Sequence, residues 1–386
     1  MIEGVKMERI YLDHAATSPM HPKVIDKMFE VMNTTFGNPS SIHSFGREAR
    51  HLIDLARAVM ARSIGAKENE IIFTGSGTEA DNMALFGVAE SYRHIGKHII
   101  TTQVEHHAVL NTCKKLEKMG YEVTYLPVDE TGRISVSDLE AALREDTILV
   151  SIMYGNNEVG TLQPIMEIGN LLKDHPAKFH TDAVQAYGIE SIDVNENYID
   201  LLSVSSHKIN GPKGIGFLYV RSNVKISPRV FGGEQERKRR AGTENVPSIV
   251  GFHQAVEVAM NDRDDKRKKF MEFKELLVQK LREHGVDFHI NGLLEKSLPH
   301  IINLSFQGTN VEAMLVNLDL AGIAVSSGSA CTAGSIEPSH VLVAMFGKQS
   351  ERLTNSIRFS FGFTTTAEEV MKAAEETAKV VSRLKK

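Results

Sequence analysis

The chain has 386 residues, 42% hydrophobic and 24% charged, with 44 Lys+Arg against 49 Asp+Glu and a formal net charge of −5. That length suits a large domain with a smaller one, and the ordinary composition excludes disordered, collagen-like and coiled-coil chains. The mild acidity speaks against a general nucleic-acid or anionic-membrane binder, and no apolar run approaches the ~20 residues of a membrane helix. Met1-Ile2-Glu3-Gly4-Val5-Lys6 lacks the apolar core of a secretory signal and reads as an extension before a second start at Met7. The two cysteines, Cys113 and Cys331, lie far apart without zinc spacing, which fits a reducing cytoplasm.

Along the chain, short β-rich runs alternate with helical periods. Strands are expected at 70–74, 98–102, 123–126, 147–153, 178–181, 201–205 and 216–220. Helices are expected at 78–92, 108–119, 136–143 and 165–173. This rhythm predicts an open, mostly parallel sheet covered on both faces, with ligands held at the carboxyl ends of its strands. From about 261 the pattern changes to a long charged helix (262–284), strands at 301–306 and 356–361, and a last helix over 366–384 opened by a Thr366/Glu369 capping box. The reading is α/β: a large domain over 14–260 and a smaller α+β domain made of 1–13 and 261–386.

Gly75-Ser76-Gly77-Thr78-Glu79-Ala80 follows a strand and opens a helix, where glycines and free N–H groups suit a phosphate. It also matches the dinucleotide fingerprint, so a dehydrogenase is the rival reading. Lys208 follows an apolar strand and precedes a glycine-rich turn, a setting for a lysine that forms a Schiff base with an aldehyde cofactor. Asp182 ends the preceding strand, where a carboxylate can pair with a protonated pyridine nitrogen. A parallel sheet would bring both to one crevice. His106, after the strand at 98–102, could stack on a flat ring; His106 and His107 as a metal pair are disfavoured, since neighbours on a strand face opposite ways. Cys331 sits in Val325-Ser326-Ser327-Gly328-Ser329-Ala330-Cys331-Thr332-Ala333-Gly334-Ser335, small residues that leave a thiol free to act as nucleophile and carrier. Cys113 reads as a plain helix residue. Arg358, on a short strand, suits a substrate carboxylate or a structural ion pair.

With Tyr11-Leu12-Asp13-His14-Ala15-Ala16-Thr17, Gly37-Asn38-Pro39-Ser40-Ser41, Asn156-Asn157-Glu158-Val159-Gly160 and Arg240-Ala241-Gly242-Thr243-Glu244-Asn245, the constellation resembles the cysteine desulfurases of the NifS/IscS type, in the aminotransferase class V group of pyridoxal-phosphate enzymes. The resemblance covers nearly the whole chain and implies a fold-type I transferase. It implies that Lys208 holds pyridoxal 5'-phosphate covalently, that Asp182 pairs with the ring nitrogen and Gln185 with the ring hydroxyl, and that His106 stacks on the ring and, with Lys208, moves protons. It implies that Gly77, Thr78, Ser205 and His207 hold the phosphate, with Thr243 reaching the phosphate of a partner subunit in a homodimer. Asn157 lies near the ring, Asn38 and Arg358 receive the substrate carboxylate, and Cys331 takes the sulfur of L-cysteine as a persulfide, leaving L-alanine. No metal, direct nucleic-acid contact or membrane is implied.

The stretch after Cys331, through Ile336-Glu337-Pro338-Ser339-His340, resembles the long-loop group, whose loop can carry a persulfide to an acceptor protein. The candidate acceptors are a tRNA-thiolating enzyme and an iron–sulfur scaffold. Family members serving that scaffold extend past the last helix, and the close at Lys385-Lys386 favours the former. A selenocysteine lyase or a class V aminotransferase of the same fold is the nearest alternative, although amino transfer needs no thiol. A protein that only accepts a persulfide on Cys331 is the non-enzymatic one.

Overall fold

The computed structural model describes residues 9–327 and 338–385. β1 (Ile10–Tyr11) leads to α1 (Pro22–Thr34) and α2 (Ser44–Ser63), then β2 (Ile71–Thr74), α3 (Gly77–Ser91), β3 (His98–Thr102), α4 (His107–Glu117) and β4 (Glu122–Leu126). Next come α5 (Val136–Ala142), β5 (Thr147–Ser151), α6 (Ile165–Leu172), β6 (Lys178–Asp182), β7 (Leu201–Ser205) and β8 (Gly216–Val220). A short segment α7 (Gln235–Lys238), left-handed rather than helical at Glu236 and Arg237, precedes α8 (Val246–Asn261) and α9 (Arg263–Glu283). The chain closes with β9 (His289–Asn291), β10 (Ile301–Ser305), α10 (Val311–Leu320), β11 (Ile323–Ala324), α11 (His340–Phe346), β12 (Ser356–Ser360) and α12 (Ala367–Leu384).

The central sheet has seven strands in the order β2-β8-β7-β6-β5-β3-β4. β7, β6, β5, β3 and β4 are parallel, as the strand–helix rhythm predicts. β3, β5 and β7 are buried throughout, because helices cover both faces. β8 departs from the rhythm and runs antiparallel to both β7 and β2. Only residues 206–215 join β7 to β8, too few for the crossover a parallel neighbour requires.

One apolar cluster joins the sheet to α2, α6 and α8 through Ile53, Ile168, Phe179, Phe217 and Phe252. Another unites Leu12 with Phe273, Leu277, Phe306, Phe359 and Val370, drawing the N-terminal segment onto α9, the β12-β10-β9 sheet and α12. The capping box of α12 forms as expected, with Thr366 Oγ1 accepting from Glu369 N at 3.2 Å and the Glu369 carboxylate from Thr366 N at 2.9 Å. Among the described residues no helix is long and apolar enough to cross a membrane.

Candidate active site

Asp182 is the last residue of β6 and stands in register with Ser203 of the parallel neighbour β7. Lys208 follows β7 within a single 3-10 turn, Ser206–Ile209. Parallel pairing sends both to the same end of the sheet, where they line one cavity of about 470 Å³. The Lys208 ammonium donates to the carbonyls of Ala15 at 2.5 Å and Ala16 at 2.6 Å. Desolvation, aided by the nearby Arg358 guanidinium, pulls its pKa down to about 8, against the pull of Asp13 and Asp182. Asp182 is buried, and its Oδ1 accepts from Val184 N at 2.9 Å. Burial pushes its pKa upward, opposed by His106, that N–H and Lys208.

The start of α3 forms the adjoining wall. Ser76 caps it by accepting from Glu79 N at 3.1 Å, and Ser76, Gly77 and Thr78 face the cavity beside Ser205 and His207. A Cβ at Gly77 would stand 2.7 Å from Val184 Cγ2, so only glycine lets the helix start approach the strand ends this closely. Glu79 fixes the turn from behind, accepting from Gly75 N at 2.7 Å and from Arg240 Nε at 2.8 Å. A tight turn, a helix N-terminus and hydroxyls make this wall an anion cradle.

His106 lines the cavity as the N-cap of α4, its Nδ1 accepting from Ala108 N at 3.1 Å. Burial, chiefly, keeps its pKa below the usual imidazole value. The alternating geometry of a strand therefore does not apply here: His106 is the cap and His107 the first helical residue, whose ring lies 4.6 Å from that of His340. Gln185 donates to Ala15 O at 2.9 Å and stands 3.4 Å from His300 Nε2. Arg358 donates to the Asp13 carboxylate and to Asn157 O, both at 2.8 Å, and its guanidinium borders the cavity with Asn157. The ion-pair reading of Arg358 is thus met by Asp13.

Asn38 and Thr243 stand outside this cavity. Asn38 is exposed and accepts from Ser40 N at 2.9 Å, while Thr243 lines a separate space of about 210 Å³ with Gly75, Gly214 and Arg240. Arg50 ties their two segments together, donating to Pro39 O and to Glu244. Cys331 lies outside the described residues. The chain leading to it starts at the cavity wall, where Ser326 exchanges backbone hydrogen bonds with Arg358 and lines the space. Cys113 is fully buried in the sheet's core, and burial pushes its thiol well up, which suits packing alone.

The sequence reading passed over three contributors. The Ala15 and Ala16 carbonyls hold Lys208, the Asp13 carboxylate holds Arg358, and Asp81 lies close to Asp182. The first two were present in the quoted motif 11–17, but only the fold shows what it touches.

A lysine of depressed pKa, a buried aspartate and an anion cradle around one cavity define a site for a covalently held pyridine aldehyde phosphate. The family described as Aminotransferase class-V matches residues 10–372, and the chain belongs to it. It is 62% identical over 378 residues to "Putative cysteine desulfurase IscS 1" of Bacillus subtilis (strain 168), covering 98% of this chain and all of that one. A solved NifS-like protein superposes with a TM-score of 0.91 at 37% identity, covering 97% of this chain and 100% of the other. The structure of SspA in complex with cysteine gives a TM-score of 0.81 at 37% identity over 92% of this chain and 99% of that one. The protein is a pyridoxal-phosphate-dependent enzyme of fold type I, which sets the dehydrogenase reading aside. The residues fit that cofactor: Gly77 leaves the room a Cβ would fill, and a cation and a buried carboxylate flank the space between.

Proposed function

We propose that the protein is a cysteine desulfurase that converts L-cysteine to L-alanine and delivers the sulfur as a persulfide on Cys331. The observation that carries this reading is one cavity that gathers Lys208, Asp182 and Arg358 and has Ser326, on the approach to Cys331, in its wall. Relatives bear the name cysteine desulfurase, and a similar protein has been solved with cysteine.

When bound, pyridoxal phosphate supplies an electron sink for charge that develops at the substrate's α-carbon. Asp182 would hold a negative charge for the ring nitrogen, and Gly77, Thr78, Ser205 and His207 would hold the phosphate. His106, Asn157 and Gln185 would hold the ring. Arg358 receives the substrate carboxylate. Lys208, its pKa pulled down to about 8, takes the α-proton as a neutral amine and returns it as the ammonium. The Cys331 thiolate attacks the substrate sulfur: a sulfur–sulfur bond forms, the carbon–sulfur bond breaks, and its electron pair stays with carbon, which is then protonated to give alanine.

Asn38 and Thr243 lie outside their own cavity, next to a surface that exposes Phe29, Phe36, Ile42 and Phe45 at 65%, 80%, 91% and 50%. That apolar surface supports a homodimer in which Thr243 reaches the partner's phosphate. The two apolar clusters support a large domain over 14–260 and a small one of 1–13 with 261–386. The acceptor is a sulfur-carrying partner, a tRNA-thiolating enzyme or an iron–sulfur scaffold, and the setting is cytoplasmic. The test is incubation of the purified protein with L-cysteine and a thiol reductant. Alanine and sulfide in equal amounts support the reading; pyruvate or a keto acid in place of alanine overturns it.

A further inference from the structure

We propose that Asp81 is a neutral carboxylic acid, the positioning residue that keeps Asp182 the anion facing the cofactor's ring nitrogen. The proposal rests on the cofactor reading above and adds a residue that it does not use. Asp81 opens the second turn of α3, 1% exposed, and borders the same cavity as Asp182. One ligand atom each from Asp81, Asp182 and His106 falls within 4.8 Å of the others. Two carboxyls this close and this buried do not both ionise; one proton stays with the pair.

The surroundings decide which of the two keeps it. Asp182 accepts a backbone N–H and faces Lys208 and His106, all of which favour its anion. Among the described residues no lysine or arginine pairs with Asp81: its Oδ1 lacks a hydrogen-bond partner, and the nearest ring nitrogen, His180 Nε2, is 3.6 Å away. Among the described residues its polar partner is the Ser203 hydroxyl, whose pull toward the anion is outweighed by burial and the Asp182 charge, and Glu105 adds a further buried carboxyl to its field.

Beyond Asp81 the contacts form a chain that closes with neutral groups alone. His180 and Asp182 share a face of β6, since they are two residues apart. The His180 ring lies 3.0 Å from Ser203 Oγ through Nε2 and 2.8 Å from Ser151 Oγ through Nδ1. A protonated Asp81 donates to Ser203, Ser203 donates to Nε2, and Nδ1–H donates to Ser151. The direction of the pKa shifts agrees: burial and the Asp182 charge push Asp81 well up, and burial pulls His180 down to about 3.

The test is infrared difference spectroscopy at pH 7 on apoprotein, wild type against D81N and S203A. The proposal predicts that D81N loses one protonated-carboxyl band and that S203A keeps this band at a shifted frequency. Loss of a carboxylate band in D81N, with protonated-carboxyl intensity unchanged, overturns it. If D81N does not fold, the S203A spectrum decides alone, since an ionised Asp81 gives no such shifted band. A second readout follows the pH titration of the bound cofactor's absorption. The midpoint in D81N stays within about 0.3 pH unit of wild type if a neutral acid has been replaced by a neutral amide. A shift of about one unit or more, expected for removing a negative charge at this range, overturns the proposal. The groups facing the pair, His106, Glu105, His180 and Lys208, are unchanged in both variants. Wild-type protein that takes up no pyridoxal phosphate would instead overturn the cofactor reading, and the apoprotein spectra would still report on Asp81.

Discussion

The Nζ of Lys208 reaches back to the Ala15 carbonyl at 2.5 Å, tying the end of β7 to the segment that follows β1. That segment is stitched to the site at further points: His207 Nδ1 lies 3.1 Å from Thr17 Oγ1, Gln185 donates to Ala15 O, and Asp13 holds Arg358. The lysine is thereby kept extended in the cavity, desolvated and near a second cation, which lowers its pKa.

The rate at which apoprotein takes up pyridoxal phosphate therefore rises as pH climbs through about 8, where Lys208 loses its proton, and not through the ordinary lysine range. R358A removes a cation that disfavours the charged amine, so its midpoint moves upward. Stopped-flow absorbance across pH 6 to 10 (about five points) reads both values. Lys208→Ala abolishes turnover and any borohydride-stable attachment at that position.

Arg358 presents its guanidinium from β12, held by the Asp13 carboxylate and the Asn157 carbonyl. In the proposed role, losing its charge-assisted pair to the substrate carboxylate costs about 1.5–3 kcal/mol, or roughly 10- to 150-fold in kcat/KM. R358A shows this loss with L-cysteine, mostly in KM, and no longer discriminates L-cysteine from its methyl ester. Steady-state kinetics with the two substrates measures the effect.

The loop that carries Thr243 depends on a buried ion pair. Arg57 donates through both terminal nitrogens to Glu236, at 2.7 and 2.8 Å, and Glu236 also accepts from Phe73 N. Glu236, Arg237 and Lys238 have φ of 47°, 56° and 65°, left-handed values that the pair holds in place. R57A leaves the Glu236 charge buried alone and lowers the unfolding free energy by about 3–5 kcal/mol, read from urea denaturation.

His300 is buried, and desolvation pulls its pKa down to about 3, so it is neutral in the folded protein while the unfolded imidazole protonates near 6.5. Between those values the unfolded chain binds more protons, and stability falls as pH drops below about 6.5. H300Q removes one such group and flattens the loss by up to about 1.4 kcal/mol per pH unit between pH 6 and 4. Urea midpoints of both proteins at pH 7 and 5 check the sign.

The parallel strands were legible because each is a short apolar run, and Asp182, Lys208 and the Gly75–Ala80 turn because they stand at strand ends. The helices α1 and α2 were not, since both are capped by histidine: His21 Nδ1 accepts from Lys23 N, and His43 Nδ1 from Gly46 N. Histidine is outside the usual capping set. α8 hides for another reason. Val246, Ile249, Val250, Phe252, Ala255 and Val256 bury it on several sides, which blurs the period of a one-sided helix. Asp81 reads in sequence as one more polar helix residue, and only the packing of α3 on β6 and β7 brings it to Asp182. The antiparallel course of β8 likewise emerges only from its pairing.

A single turnover decides whether a lysine-held cofactor works with a sulfur-accepting thiol. Cofactor-loaded protein is mixed with less than one equivalent of L-cysteine in the absence of reductant, alanine is quantified, and the added sulfur is located by peptide mass mapping. The account predicts one alanine per cysteine consumed and one extra sulfur atom on the peptide bearing Cys331, with none on that bearing Cys113. Alanine formed at the same rate by C331A, or sulfur found on Cys113, would contradict it.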